Sequence, residues 1–264
     1  MPSSFMYVIA VESDSLNFQI LLNDVPVKKV LEERPVMSQT NVNQWIVEGA
    51  NVVEVRLGLS SGGGPGRADD SGSFQLRLFG GEHGREPDPK DALIEFIWDA
   101  AAQPLGDQMV TVFTKEFQAE VSFGRWRWQD APSIPLTDSD KRELVQVIRK
   151  IHRAVSEKDL DALTELMKLN SQEMARAMDI DEETIVMGGR QVFSSLFESD
   201  GWRVEPLEES TLLFQPVAGG RLVAVTPAGG QPLVRGEGGG GGEFAMSFIF
   251  GRVAGAWHVF RSGA

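Results

Sequence analysis

The hydrophobic pattern of the chain changes period near its middle. Phe5, Tyr7, Ile9 and Val11 alternate with Met6, Val8 and Ala10, and Leu16, Phe18, Ile20 and Leu22 alternate with Asn17 and Gln19. Further on, Val53, Val55, Leu57 and Leu59 share one parity with Glu54 and Arg56 on the other, and Phe74, Leu76 and Leu78 resume the same beat. A period of two puts successive side chains on opposite faces of a strand, so this half predicts half-buried β-sheet. Asn23 and Asp24, which tolerate left-handed backbone, predict a hairpin turn within LLNDVPV. The stretch PDPKDALIEFIWDAA fits a short helix or a strand, and its β-branched and aromatic content favours the strand.

From Leu136 to Met167 the spacing becomes three and four. Leu144, Val145, Ile148, Ile151, His152 and Val155 fall on one side of a helix, with Lys141, Arg142, Arg149, Lys150 and Arg153 mostly opposite. Thr137 or Asp138 can cap its start. The polar run Glu157, Lys158, Asp159 interrupts the pattern, and Asp159 can cap a second helix carrying Leu160, Leu163, Leu166 and Met167. SQEMARAMDI continues helically with Met174, Ala177 and Met178 as its apolar face. Asp179 to Glu183 then open a further helix through Gln191, Val192 and Leu196, its acidic first turn complementing the helix dipole.

After Gly201 the period returns to two, in WRVEPL, TLLFQPV, RLVAVT, FAMSFIFGRV and AWHVFR. Phe244, Met246, Phe248 and Phe250 make one bulky face, while Ala245, Ser247 and Gly251 leave the other small around Ile249. Gly236 to Gly242 predicts a flexible hairpin tip. The pattern therefore predicts an all-β sandwich over 1–131, a proline-bearing linker over 132–136, and an α+β domain over 137–264 with helices packed on a curved antiparallel sheet.

Two resemblances sharpen these expectations. The segment NVNQWIVEGANVVEVRL, residues 41–57, resembles a recurrent stretch of jelly-roll β-sandwich modules, including galactose-binding-like domains. The likeness implies a structural loop in which Gly49 permits the turn and Asn51 bonds to the loop backbone; it brings no sugar-binding residues with it. The helix junction SEKDLDALTELM and the closing FIFGRVAGAWHVFR, in the order helices then meander, resemble the nuclear-transport-factor-like cone shared by relatives of ketosteroid isomerase and scytalone dehydratase. That likeness implies helices roofing a bent sheet, and a homodimer through the open face of the cone sheet. Its members include isomerases, dehydratases, small-molecule binders and protein-binding subunits, so the fold alone selects no activity.

Composition narrows the classes further. There is no cysteine, which removes disulfides, thiolate nucleophiles and thiolate metal ligands. The net charge of -13 repels phosphate backbones, so nucleic acid is not an expected partner and a cationic protein is the natural complement. The opening MPSSFMYVIAVESDS has no basic n-region and only a short strand-like apolar run, so neither a signal peptide nor a membrane span is predicted, and a cytoplasmic location is expected. Ser60 to Ser73 reads as a long loop; it lacks the Gly-Lys-Ser/Thr context of a phosphate cradle.

Candidate chemistry is sparse. Three histidines without cysteine do not make a zinc set, the DIDEE run lacks the alternation of a calcium loop, and no G-x-S-x-G, H-E-x-x-H or Walker pattern occurs. No catalytic residue, metal or cofactor is assigned. Tyr7, the only tyrosine, lies in the first half, so the cone cannot supply a tyrosine-based oxyanion hole from its own residues. Counting by twos from Phe117 and Phe123 puts Trp126 and Trp128 on the wet face beside Arg125 and Arg127, a stacking platform for a sugar or an anchor for a protein. Alternatively, Gly124 breaks the register and sends both rings into the core. In the second half His152, Trp257 and His258 are the candidates for lining a cone cavity, although a lone histidine on an apolar face is more often a satisfied core group. The expected function is that of a non-catalytic protein holding a macromolecular partner, as an immunity-like or adaptor protein of a bacterial system. The alternative is a small-ligand binder or an isomerase- or dehydratase-like enzyme using the cone cavity.

Overall fold

The computed structural model describes residues 5–14, 16–31, 35–58, 72–82, 88–103, 110–133, 135–238 and 242–263. Leu59, His83 and most of the glycine- and serine-rich stretch lie outside them. By its internal contacts the chain divides into two compact units, Met1–Arg125 and Trp126–Ala264. Each of the three sheets draws its strands from one unit only.

The first unit contains β1 (Phe5–Asp14), β2 (Phe18–Leu22), β3 (Val25–Val30), β4 (Val36–Asn41), β5 (Gly49–Leu57), β6 (Ser73–Glu82), β7 (Ala92–Asp99) and β8 (Thr111–Ala119). They form two antiparallel four-stranded sheets, ordered β4-β1-β6-β7 and β3-β2-β5-β8. The period-two pattern is realised as read: Tyr7, Ile9 and Val11 of β1, Phe18 and Ile20 of β2, Val53 and Val55 of β5, and Phe74, Leu76 and Leu78 of β6 are all buried. Phe18 meets Phe74 edge to face at 5.1 Å, joining a strand of one sheet to a strand of the other, and Tyr7 lies 6.4 Å from Phe117 in the same way. Each fully buried side chain of this size contributes about 2 kcal/mol to holding the sheets together.

The turn chemistry follows the residues. Asn23 and Asp24 both take positive φ, 53° and 67°, in the β2–β3 hairpin, the backbone that a two-residue turn of matching twist needs. Gly49 sits at φ 85°, and Asn51 accepts from the Val47 N–H at 2.9 Å while donating to the Val47 and Gly49 carbonyls. The ambiguous PDPKDALIEFIWDAA stretch is strand β7, with Ile94, Phe96 and Trp98 inward.

The second unit opens with α1 (Asp138–Ser156), α2 (Leu160–Leu166), α3 (Lys168–Met178) and α4 (Glu182–Phe197). Thr137 is the N-cap of α1: its hydroxyl accepts from the Asp140 N–H at 3.2 Å, and the Asp140 carboxylate accepts from the Thr137 N–H at 2.9 Å. Asp159 caps α2 through the Ala162 N–H. The strands β9 (Arg203–Val204), β10 (Leu212–Val217), β11 (Leu222–Pro227), β12 (Val234–Gly238), β13 (Gly242–Val253) and β14 (Ala256–Gly263) follow. They make one antiparallel sheet in the order β10-β11-β13-β12-β9, with β14 also paired to β13. The register of β13 and β14 shifts between Ile249 and Phe250, as a bulge does where a sheet bends. Leu144, Ile148, Ile151 and Val155 of α1 pack with Val223, Val225, Phe248 and Phe250 of the sheet as a buried core. Gly251 is required by close packing with other neighbours, since a Cβ there would lie 2.5 Å from the Phe260 ring and 2.7 Å from Leu222. In the glycine run 236–242, residues 236–238 belong to β12, and 239–241 lie outside the described residues.

By internal contacts the second unit starts at Trp126, ahead of the 132–136 stretch, and Trp126 there meets Arg176 of α3. One expectation changes in detail. Of the apolar face read for α3, Ala177 is buried and Met174 and Met178 are half-buried, while Leu169, Asn170, Ser171, Glu173 and Ala175 are also inward. Val192 of α4 is 59% exposed.

Candidate functional site

The tryptophan pair is internal. β8 ends at Ala119 and Gly124 takes a positive φ of 70°, so the alternation stops before the tryptophans and Arg127–Asp130 form a single 3-10 turn. Trp126 is fully buried and Trp128 nearly so, whereas Arg125 and Arg127 are exposed. The rings therefore form no exposed platform. Trp126 instead carries the guanidinium of Arg176 at 4.5 Å and that of Arg261 at 5.4 Å from its centroid. Arg261, on β14, donates to the buried Glu173 carboxylate of α3 at 3.1 Å and to the Phe260 carbonyl at 2.6 Å. Burial pushes the Arg261 guanidinium down to about 10, against the pull of Glu173, so it stays charged at neutral pH. Such a desolvated pair is tolerated only while both partners are present. Its role is to fix α3 on β14.

The three candidates for a cone cavity separate. His152, half-buried on α1, donates from Nε2 to the Glu205 carbonyl at 2.7 Å, which ties the helix to the segment after β9. It is a satisfied structural group. Trp257 is buried with the Arg252 guanidinium 5.0 Å over its ring, and Arg252 in turn pairs with Asp140 at 3.0 Å and Glu143 at 2.6 Å. His258 follows it, half-buried.

Trp257 and His258 do meet in one place, a groove of about 420 Å³. Its wall is Val147 and Lys150 of α1, its far side Leu166, Lys168 and Leu169 where α2 passes into α3, and its floor Val253, Trp257 and Val259 of the closing hairpin, with Arg127 at the rim. The groove exists because α1 and α3 both pack on β14 without touching along their full length. The break between α2 and α3 turns Leu166 and Leu169 toward the same space. Lys150 and Arg127 are exposed. No group of three or more metal-ligating side chains occurs among the described residues.

A second surface was invisible to the pattern reading. Helix α4 buries only Phe197; Phe193 and Phe197 hold it to Phe244 and Trp202 at 5.6 and 5.3 Å. Thr184, Met187, Gly188, Gln191, Val192 and Ser195, spaced by three, one and three residues, are all exposed and form an outward stripe without a charge. Met187 is 61% exposed, and a Cβ on Gly188 or Gly189 would meet nothing within 4 Å. Acidic groups bracket the stripe: Asp179, Asp181, Glu182 and Glu183 at one end, Glu198 and Asp200 at the other, all exposed. The helix's one cation, Arg190, is engaged by Asp161 at 2.8 Å. The signal in the sequence was the MGG within a predicted helix, where glycine costs about 1 kcal/mol relative to alanine and so asks for a reason.

No helix among the described residues is long and apolar enough to cross a membrane. Compared with known proteins, the chain matches no family model, no curated protein and no solved structure.

Proposed function

We propose that this chain is a non-catalytic binding protein that holds a cationic protein partner on the outward face of α4, in an adaptor or immunity-like role. One observation carries the reading: the exposed stripe from Thr184 to Ser195 is uncharged on a helix that contributes a single buried residue to its own unit. A stripe that faces only water is ordinarily charged. Met187 and Val192 supply apolar contact, Gly188 and Ser195 allow close backbone approach, and the acidic groups at both ends attract a basic surface and speed its encounter.

A photo-crosslinking residue placed at Gly188, in the cells that make the protein, should give a dominant adduct with a basic protein. The same residue in a Met187→Glu, Val192→Glu background should lose that adduct while the melting temperature is unchanged. An adduct that survives the double substitution, or that is also obtained from Glu116 on β8, rejects the reading.

A second reading, small-ligand binding, is supported by the groove at Trp257 and His258. Because Phe248, Phe250, Val223 and Val225 pack against α1 in the interior, this reading puts its ligand in the groove on the flank of the sheet.

A further inference from the structure

We infer that the groove between α1, α3 and the closing hairpin takes a small amphipathic carboxylate, an inference that rests on the small-ligand reading of that groove and names its ligand class. Five arginines of this unit are held by carboxylates. Arg149 holds Glu209, Arg190 holds Asp161, Arg203 holds Glu237, Arg235 holds Glu205 and Arg252 holds Asp140 and Glu143. The cations around the groove are held weakly or not at all. Neither the Lys150 ammonium nor the Arg127 guanidinium has a carboxylate partner among the described residues, and Lys168 has only Glu165, at 3.8 Å and 77% exposed. Three cations, Arg127, Lys150 and Lys168, and one carboxylate, Glu165, line the groove, so its lining is net positive in a chain of net charge -13.

Apolar side chains make up the rest of the lining: Val147, Leu166 and Leu169 on the sides, Val253, Trp257 and Val259 on the floor. A volume of about 420 Å³ is in the range of small-molecule sites, which combine apolar walls with a few placed polar groups. An apolar body on the floor with one negative head between Lys150 and Arg127 uses every feature. A cation would meet like charge at the rim, a neutral molecule would leave the cations idle, and a bare inorganic anion would leave the floor wet. The indole N–H of Trp257 has no acceptor among the described residues, so its resonance is a reporter inside the site.

The test uses the full chain and three probes of one shape: 3-phenylpropanoate, 3-phenylpropanol and 3-phenylpropylamine, with inorganic phosphate as a fourth. The carboxylate should shift the Trp257 indole N–H resonance saturably, and bind at least about tenfold more tightly than the alcohol or the amine. Both Arg127→Gln and Lys150→Gln change exposed side chains, so the double variant should keep its melting temperature. It should bring the carboxylate down to the affinity of the alcohol. Equal affinity for alcohol and carboxylate, insensitivity to the double substitution, or phosphate binding as tightly as the carboxylate overturns the inference and leaves the small-ligand reading standing. If none of the probes moves the Trp257 resonance, both fall.

Discussion

Tyr7 shows what a single polar atom can organise inside a sandwich. Its hydroxyl donates to the Glu120 carbonyl at 2.8 Å and accepts from the Glu120 N–H at 3.0 Å, closing the chain beyond β8 onto β1. Burial raises the phenol's pKa above its ordinary value, so the neutral form is the folded form. Replacing Tyr7 with Phe leaves both Glu120 backbone groups short of a partner and should cost about 1–3 kcal/mol in urea unfolding. As the only tyrosine, Tyr7 can be titrated alone by tyrosinate absorbance, and its ionisation should come later in the folded chain than in the unfolded one. Asp140 works in the opposite sense. The Thr137 hydroxyl and N–H, with Arg252 beyond them, hold its carboxyl below the usual value. A carboxyl depressed by folding lends stability that is complete above its unfolded pKa of about 4 and is lost as the pH drops through the folded value. Thermal melts of Asp140→Asn should therefore lie below wild type at neutral pH and converge with it in acid; a constant gap at all pH values would contradict the assignment. At this scale the sequence was legible wherever the partner is close along the chain, as for Asn23, Gly49, Asn51, Thr137 and Asp159. The burial of Trp126 was legible only through Gly124, as the alternative in which the register breaks; its neighbours Arg176 and Arg261 are distant in sequence and carry charge where apolar side chains would be expected.

Among elements, helices α1 and α2 and the inward strands could be read from period alone, since a period records which face is wet. The method weakens where a face is buried by polar groups or left bare by apolar ones. Helix α3 turns Asn170, Ser171 and Glu173 inward, where Asn170 donates to the Phe260 carbonyl and Glu173 meets Arg261. β12 carries Gly-Glu-Gly in a strand, which no propensity would favour; Gly236 is needed there because a Cβ would lie 2.6 Å from the Arg203 carbonyl oxygen. The two glycines of α4 are different, with open space around each. Gly188→Ala and Gly189→Ala should each stabilise the chain by about 0.5–1 kcal/mol, read as a rise in melting temperature. If α4 is a docking face, Gly188→Ala should at the same time weaken partner binding, whereas Gly189→Ala, turned away from the stripe, should not.

For the whole molecule, the internal contacts divide the chain after Arg125, roughly ten residues ahead of the point where the period changes. The remainder could not be read, because the tryptophans that follow Arg125 look like strand and pack like core. This predicts how the chain tolerates cutting. A piece spanning 126–264 should unfold cooperatively in urea, and one spanning 137–264, lacking Trp126 and Trp128, should lose at least about 3 kcal/mol. Equal midpoints for the two pieces would show that the tryptophans belong with the sandwich. One more consequence lies in β13, which is bonded to β11, β12 and β14 along its length. Its stretch from Phe248 to Gly251 lies between β11 and β14, so in deuterated water the amides there should be among the last of the second unit to exchange, recording the free energy of its complete opening.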